Sequence, residues 1–561
     1  MFKKSLKNAL NPEKLRIASA SRSNYDFESE FSSVPVSLSI FSGRVLFMQI
    51  ARTAVAAPLH SVSQWKRAVG WRWIAAGSIA MGFVLAGALT FGQVGGVGGG
   101  GVGGVGGGGA GGAGGVGGVG GGGVGEPGTG SAAGAAGIVI DAQGVLRTQG
   151  VADAGLSRTR RKAAAAALPG ELQKSSKLRK VALSQLEAEV AAAAAAGRGI
   201  PDALQKLAGL TRIQYVFVYP GEGSDKGEVV IAGPAEGWMA DATGRVVGVE
   251  TGSPTVLLED LVALMRVFPP GQPTDRSVGC SIDPKPAGLA SLQAFLKKVG
   301  HINPTESTEN IVAGMQQALG TQVVSVQGVS PATHCAHVMV EADYRMKLIG
   351  IGLEPPPVKM STWIELASAG SVAANALQRW YFVPNYQCVR ISEDDLAIEL
   401  VGRGVKLCGA DEVVMADGRR MSADRAARAS KMFTEAFSKK YPEIAARSPI
   451  YAQLRNLIDL AVAAAYLQEH DAYGRTQWNA ATLLSEKVYS IETLAAPVEV
   501  ETAINAIWRG SRLLTPIGGG VSLQPRLALD SPNLLMDDKG TVAKARGEKL
   551  ALPAGRWWWD E

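Results

Sequence analysis

The sequence predicts an α+β fold of mixed sheets and hairpins with packed helices, preceded by one amino-terminal membrane-spanning or signal helix and a Gly-rich linker. Three observations predict it. Short β-type runs alternate with turn-rich stretches, as in YVFVY, EVVIA and RVVGV between Tyr215 and Val249. Amphipathic stripes at helical spacing interrupt and follow them. One uncharged run then precedes a glycine tract near the amino terminus. Composition suits several cores: 561 residues, 46% hydrophobic and 19% charged.

The uncharged run is Trp73 to Phe91, preceded by Lys66, Arg67 and Arg72. As a helix it is about 28 Å long, the hydrocarbon thickness of a bilayer. Cations on its leading side place the amino terminus in the cytoplasm and the remainder outside it. Ala86-Gly87-Ala88 has the small-residue spacing of a signal-peptidase site, so both an anchor and a cleaved signal stay open, and Met48 is a second candidate start. Residues 1–70 show no periodicity and read as disordered or untranslated, 71–92 as anchor or signal, and 93–137 as tether. Residues 92–130 hold 26 Gly. Such a coil spans roughly 31 to 37 Å, and its G-x-G-x-x-G matches lack the flanking strand and helix that a dinucleotide site needs.

The net charge of +6 sits in residues 1–70, with ten basic against four acidic side chains. Residues 158–180 add eight cations against Glu171, which leaves 181–561 at −6. A broad nucleic-acid face is therefore not expected there; only cytosolic binding through residues 1–70 and the basic stretch would change that.

Beyond the tether a strand pair is expected over 138–147, then a helix from Pro169 to Ala196 with a solvated or lipid-facing basic half. Ser253 and Pro254 signal a helix start, carried by Leu257 to Phe268. Helices at 287–299 and 305–319 and a strand at 322–327 follow. Strict alternation from His337 to Leu348 predicts an amphipathic strand. Arg379 to Leu407 reads as hairpins, with WYFV and AIEL as strands. Ser422 and Ser448-Pro449 open two helices, the second with Arg455 and Asp459 four apart and able to pair. The divisions expected are 138–270, a basic helix plus meander; 271–420, an α+β domain with hairpins; 421–530, a helical segment; and 531–561, a tail.

The runs LAGLTRIQYVFVYP (207–220), EVVIAGPAEGW (228–238), SVGCSIDPKPAGLASLQAFL (277–296), HVMVEADYRMKLIGIGLEPPP (337–357), RWYFVPNYQCVRISEDDLAIELVGRGVKL (379–407) and RNLIDLAVAAA (455–465) resemble an uncharacterised, domain-of-unknown-function family of exported planctomycete proteins. The resemblance spans about residues 172–528. It implies lineage and export and supplies no activity or site residue.

Local catalytic signatures are missing: no G-x-S-x-G, H-E-x-x-H, P-loop or C-x-x-C occurs. No catalytic residue or cofactor is assigned. His334, His337 and Glu341 have metal-ligand spacing only on a helix, and the expected strand disperses them. Ser281 beside Cys280 is a nucleophile-like turn or a strand end. Cys388 and Cys408, on strands expected to be neighbours, are the preferred disulfide among four cysteines, against free buried thiols. Trp380, Tyr381, Tyr386 and Trp557 to Trp559 are contact surface or core. The functional expectation is a non-catalytic, membrane-targeted or secreted cell-envelope protein that meets the membrane through residues 73–91 and binds an envelope protein or glycan. The alternative is an extracytoplasmic hydrolase with a site assembled from distant residues.

Overall fold

A computed structural model describes residues 137–148, 158–271, 273–299, 308–367, 376–377, 379–410, 412–414, 420–422, 428–505, 507–509, 512–514 and 519–561. The expected segments 1–70 and 71–92, and the tether up to residue 136, lie outside them. No helix among the described residues is long and apolar enough to cross a membrane.

The described chain is α+β. An eight-stranded mixed sheet runs in the order Ile138–Ile140, Val145–Thr148, Glu499–Val500, Gln322–Gln327, Val278–Pro284, Gly519–Leu523, Trp380–Pro384, Val405–Gly409. A seven-stranded sheet runs Leu535–Met536, Val389–Ile391, Ala397–Leu400, Tyr215–Tyr219, Glu228–Ala235, Ser176–Ala182, Trp558–Asp560. Each sheet takes strands from far-separated parts of the sequence, and the first draws on all three stretches between 138 and 530.

Two long helices supply much of the core. Pro449–Glu469 starts with Pro at its first turn, as its sequence predicts, and is buried over nearly its whole length. It packs on Arg428–Arg447, Leu258–Val267 and His334–Gly350. Around it Phe382, Phe433, Phe437, Tyr441 and Tyr451 form tilted and edge-to-face pairs 5.5 to 6.2 Å apart. Each buried ring contributes about 1.5–3 kcal/mol by leaving water.

Five expectations need correction. His334–Gly350 is a helix, not a strand. Its polar positions are buried with partners, so alternating polarity there does not report alternating exposure. Residues 169–196 are not one helix: Ser176–Ala182 is a strand and the helix is Leu183–Ala195. Backbone pairing with Glu228–Ala235 and Trp558–Asp560 outweighs the helical stripe. The helix after Ser253 starts at Leu258, because Pro254 bridges to Val247 instead. Ser422 ends a strand, Arg420–Ser422, and the helix beyond it begins at Arg428. The residues 531–561, read as a tail, contribute two strands and the helix Thr541–Arg546.

Candidate functional site

The helix His334–Gly350 concentrates ionisable groups. Thr333 caps it, its hydroxyl accepting from Ala336 N at 3.3 Å. Because the helix is nearly enclosed, each charge needs a neighbour. Along one face, His334 Nδ1 lies 3.0 Å from both carboxylate oxygens of Asp260, and His337 Nε2 donates to Ala495 O at 2.7 Å. Glu341, fully buried, takes two bonds from Arg245 Nη2 at 2.6 and 2.7 Å, and Arg245 also donates to Gln453. Arg345 extends the chain to Glu354 at 3.0 Å.

Electrostatics separate the two imidazoles. Burial pulls His334 down, but Asp260 and then Glu259 overcome it and raise the ring to about 9. Burial and the neighbouring His334 lower His337 to about 4, against its bond to Ala495. Burial lifts the Glu341 carboxyl, with Arg245 opposing. The helix does set His334, His337 and Glu341 at i, i+3 and i+7, but they turn to Asp260, a backbone carbonyl and Arg245. Among the described residues no group of three His, Cys, Asp or Glu gathers to hold a metal.

Asp343 and Lys347 form a second buried pair, 2.9 Å apart, next to an Arg379–Asp283 pair also at 2.9 Å. A side chain at Gly519 would meet Lys347 Cε at 2.5 Å and Asp343 Oδ1 at 2.9 Å, so only glycine lets that strand approach. Burial first, and Asp343 second, push the Cys280 thiol well above its usual range, which keeps it protonated and unreactive. Ser281 is no turn nucleophile: it lies within a strand, between Ser325 and Gly520.

An open cleft of about 340 Å³ lies between the helix Leu183–Ala195, the turn before Glu228–Ala235 and residues 476–482. Ser184, Gln185, Lys226, Gln477, Asn479 and Thr482 give it a polar lining. Beneath them Glu187 accepts Trp478 Nε1 at 2.5 Å and the Thr482 and Leu483 amides at 2.7 and 3.2 Å. Gln477 and Ala480 hold left-handed backbone, φ +54° and +50°, at its rim. Such strain costs of order 1–3 kcal/mol per residue and clusters at ligand sites. None of these residues has a sequence signature; the polar run TQWN after a Gly is the only trace.

All four cysteines are free. Cys388 adjoins a strand of the seven-stranded sheet and Cys408 lies in the eight-stranded one, so they are not on neighbouring strands. Trp380 and Trp559 are core; Tyr381, Tyr386, Trp557 and Trp558 are half-buried and form no exposed aromatic face. Asp459 pairs with Arg212 at 2.8 Å in place of Arg455.

Residues 280–363 match a family described as a protein of unknown function (DUF1598). That segment contains Cys280, Asp283 and the whole ionisable helix, while Arg245, Asp260, Arg379 and Gln453 lie outside it. No curated protein and no solved structure matches the chain.

Proposed function

We propose that the chain is a non-catalytic cell-envelope protein, directed to the membrane by residues 73–91, whose folded part binds a glycan in the cleft around Gln477. The observation that carries this reading is the cleft itself: amides, hydroxyls and one ammonium around a Trp floor, with a rim held in strained backbone. Amide and hydroxyl side chains match the paired donors and acceptors of sugar hydroxyls. Its volume suits one or two sugar rings. The hydrolase alternative draws on the Asp260–His334 pair, but the neighbouring thiol, Cys335, is buried and pushed well up.

Two measurements test this. A reporter fused after residue 130 should be active outside the cytoplasm. The purified full chain should bind envelope polysaccharide fragments, and Gln477→Ala and Lys226→Ala should weaken that binding without altering the unfolding midpoint by more than a few degrees. Fragment binding unchanged in both variants removes the cleft from the reading.

A further inference from the structure

A different cavity, of about 310 Å³, lies between the sheet-edge strand Val405–Gly409 and the helix Arg428–Arg447. Ser438 closes the strand's outer edge: its hydroxyl accepts from Leu407 N at 2.8 Å and donates to Leu407 O at 3.1 Å. Arg403 Nη1 is tied to Ser438 O at 3.1 Å, which fixes a guanidinium at the cavity wall. Lys406 and Lys431 complete a cationic lining that contains one carboxylate, Glu435, at 3.9 Å from Lys431. Lys406 has no ion-pair partner among the described residues. Burial raises the Cys408 thiol, with Lys406 opposing, so this wall is uncharged and does not repel an anion. Three cations thus face one concave space in a part of the chain that is acidic overall, 181–561 standing at −6.

We propose that this cavity binds an oxyanion, the phosphate or sulfate group of a small ligand or of a lipid headgroup. A fixed guanidinium with two ammonium groups supplies the donor set that tetrahedral oxyanions take, and the volume lies at the lower end of small-molecule sites. The proposal is independent of the Gln477 cleft.

The test uses the full chain at low ionic strength, with inorganic phosphate in one arm and phosphatidylglycerol vesicles in the other. Phosphate or vesicle binding should fall about tenfold or more in the triple variant Arg403→Gln, Lys406→Gln, Lys431→Gln. It should strengthen in Glu435→Gln and weaken as salt rises. Loss of phosphate binding assigns a soluble ligand, and loss of vesicle binding alone assigns a headgroup; either upholds the site. The idea fails if wild type binds neither probe, or if the folded triple variant, checked by circular dichroism, binds as wild type does.

Discussion

Arg179 holds Asp560, 381 residues further along the chain, through Nε at 2.7 Å and Nη2 at 2.9 Å. The guanidinium is fully buried, its Nη1 donates to Ala208 O at 2.7 Å, and the Trp558 ring lies 4.6 Å from its centre. Ala208 belongs to a left-handed turn, Leu207 and Ala208 at φ +46° and +54°. One side chain therefore joins the strand Ser176–Ala182, a left-handed turn and the edge strand Trp558–Asp560. Replacing Arg179 by Met, or Asp560 by Asn, should lower the free energy of unfolding, the second leaving a buried cation unpaired. Because Asp560 is partly exposed, a loss of about 1.5–3 kcal/mol is expected for Asp560→Asn, measured by urea denaturation. A change under 1 kcal/mol would show that the contact is incidental.

The Arg245–Glu341 pair should behave non-additively. Glu341→Leu alone strands a buried guanidinium and should cost about 3–5 kcal/mol. Glu341→Leu combined with Arg245→Met removes both charges and should cost less than the sum of the single changes. A double-mutant cycle in urea measures the coupling, and strict additivity contradicts the pairing.

His334 and His337 give stability opposite pH dependences. His337, lowered to about 4, contributes stability that is present above the unfolded value near 6.5 and is lost as pH falls towards 4. His334, raised to about 9, contributes stability present below about 6.5 and lost as pH rises through 9. The unfolding midpoint of His337→Gln should thus lose part of the decline between pH 6.5 and 4, and His334→Gln part of the decline on the alkaline side. Histidine proton resonances should show one ring charged and one neutral at pH 7.

Thiol labelling should find four reactive cysteines after unfolding without reductant, because none is bridged. In the folded chain Cys408 should react first, as it alone is not fully buried. Fewer than four labels on the unfolded chain would reveal a bridge.

Much of the architecture is legible in the residues. Tyr215–Tyr219, Gln322–Gln327 and the helix from Pro449 follow from β-branched runs, turn punctuation and a proline start. His334–Gly350 is not, because period two reports polarity, and polarity predicts exposure only where polar groups face water. Glu341 and Asp343 are enclosed; Arg245 reaches Glu341 from 96 positions away through tertiary packing, whereas Lys347, four along from Asp343, faces it only once the segment is a helix. Arg179 and Lys180 read as a basic surface for the same reason: their carboxylates, Asp560 and Glu561, are nearly 400 positions away in the chain. The cleft at Gln477 depends on backbone dihedrals, which no spacing of residue types encodes.

The pairing across 381 residues also sets an order of events during synthesis. At about 5–20 residues per second, Arg179 leaves the ribosome roughly 20 to 80 s before Asp560 exists. Through that interval the Ser176–Ala182 edge has no Trp558–Asp560 strand to close it. Until then the seven-stranded sheet ends on unpaired backbone groups, a template on which a second chain could pair.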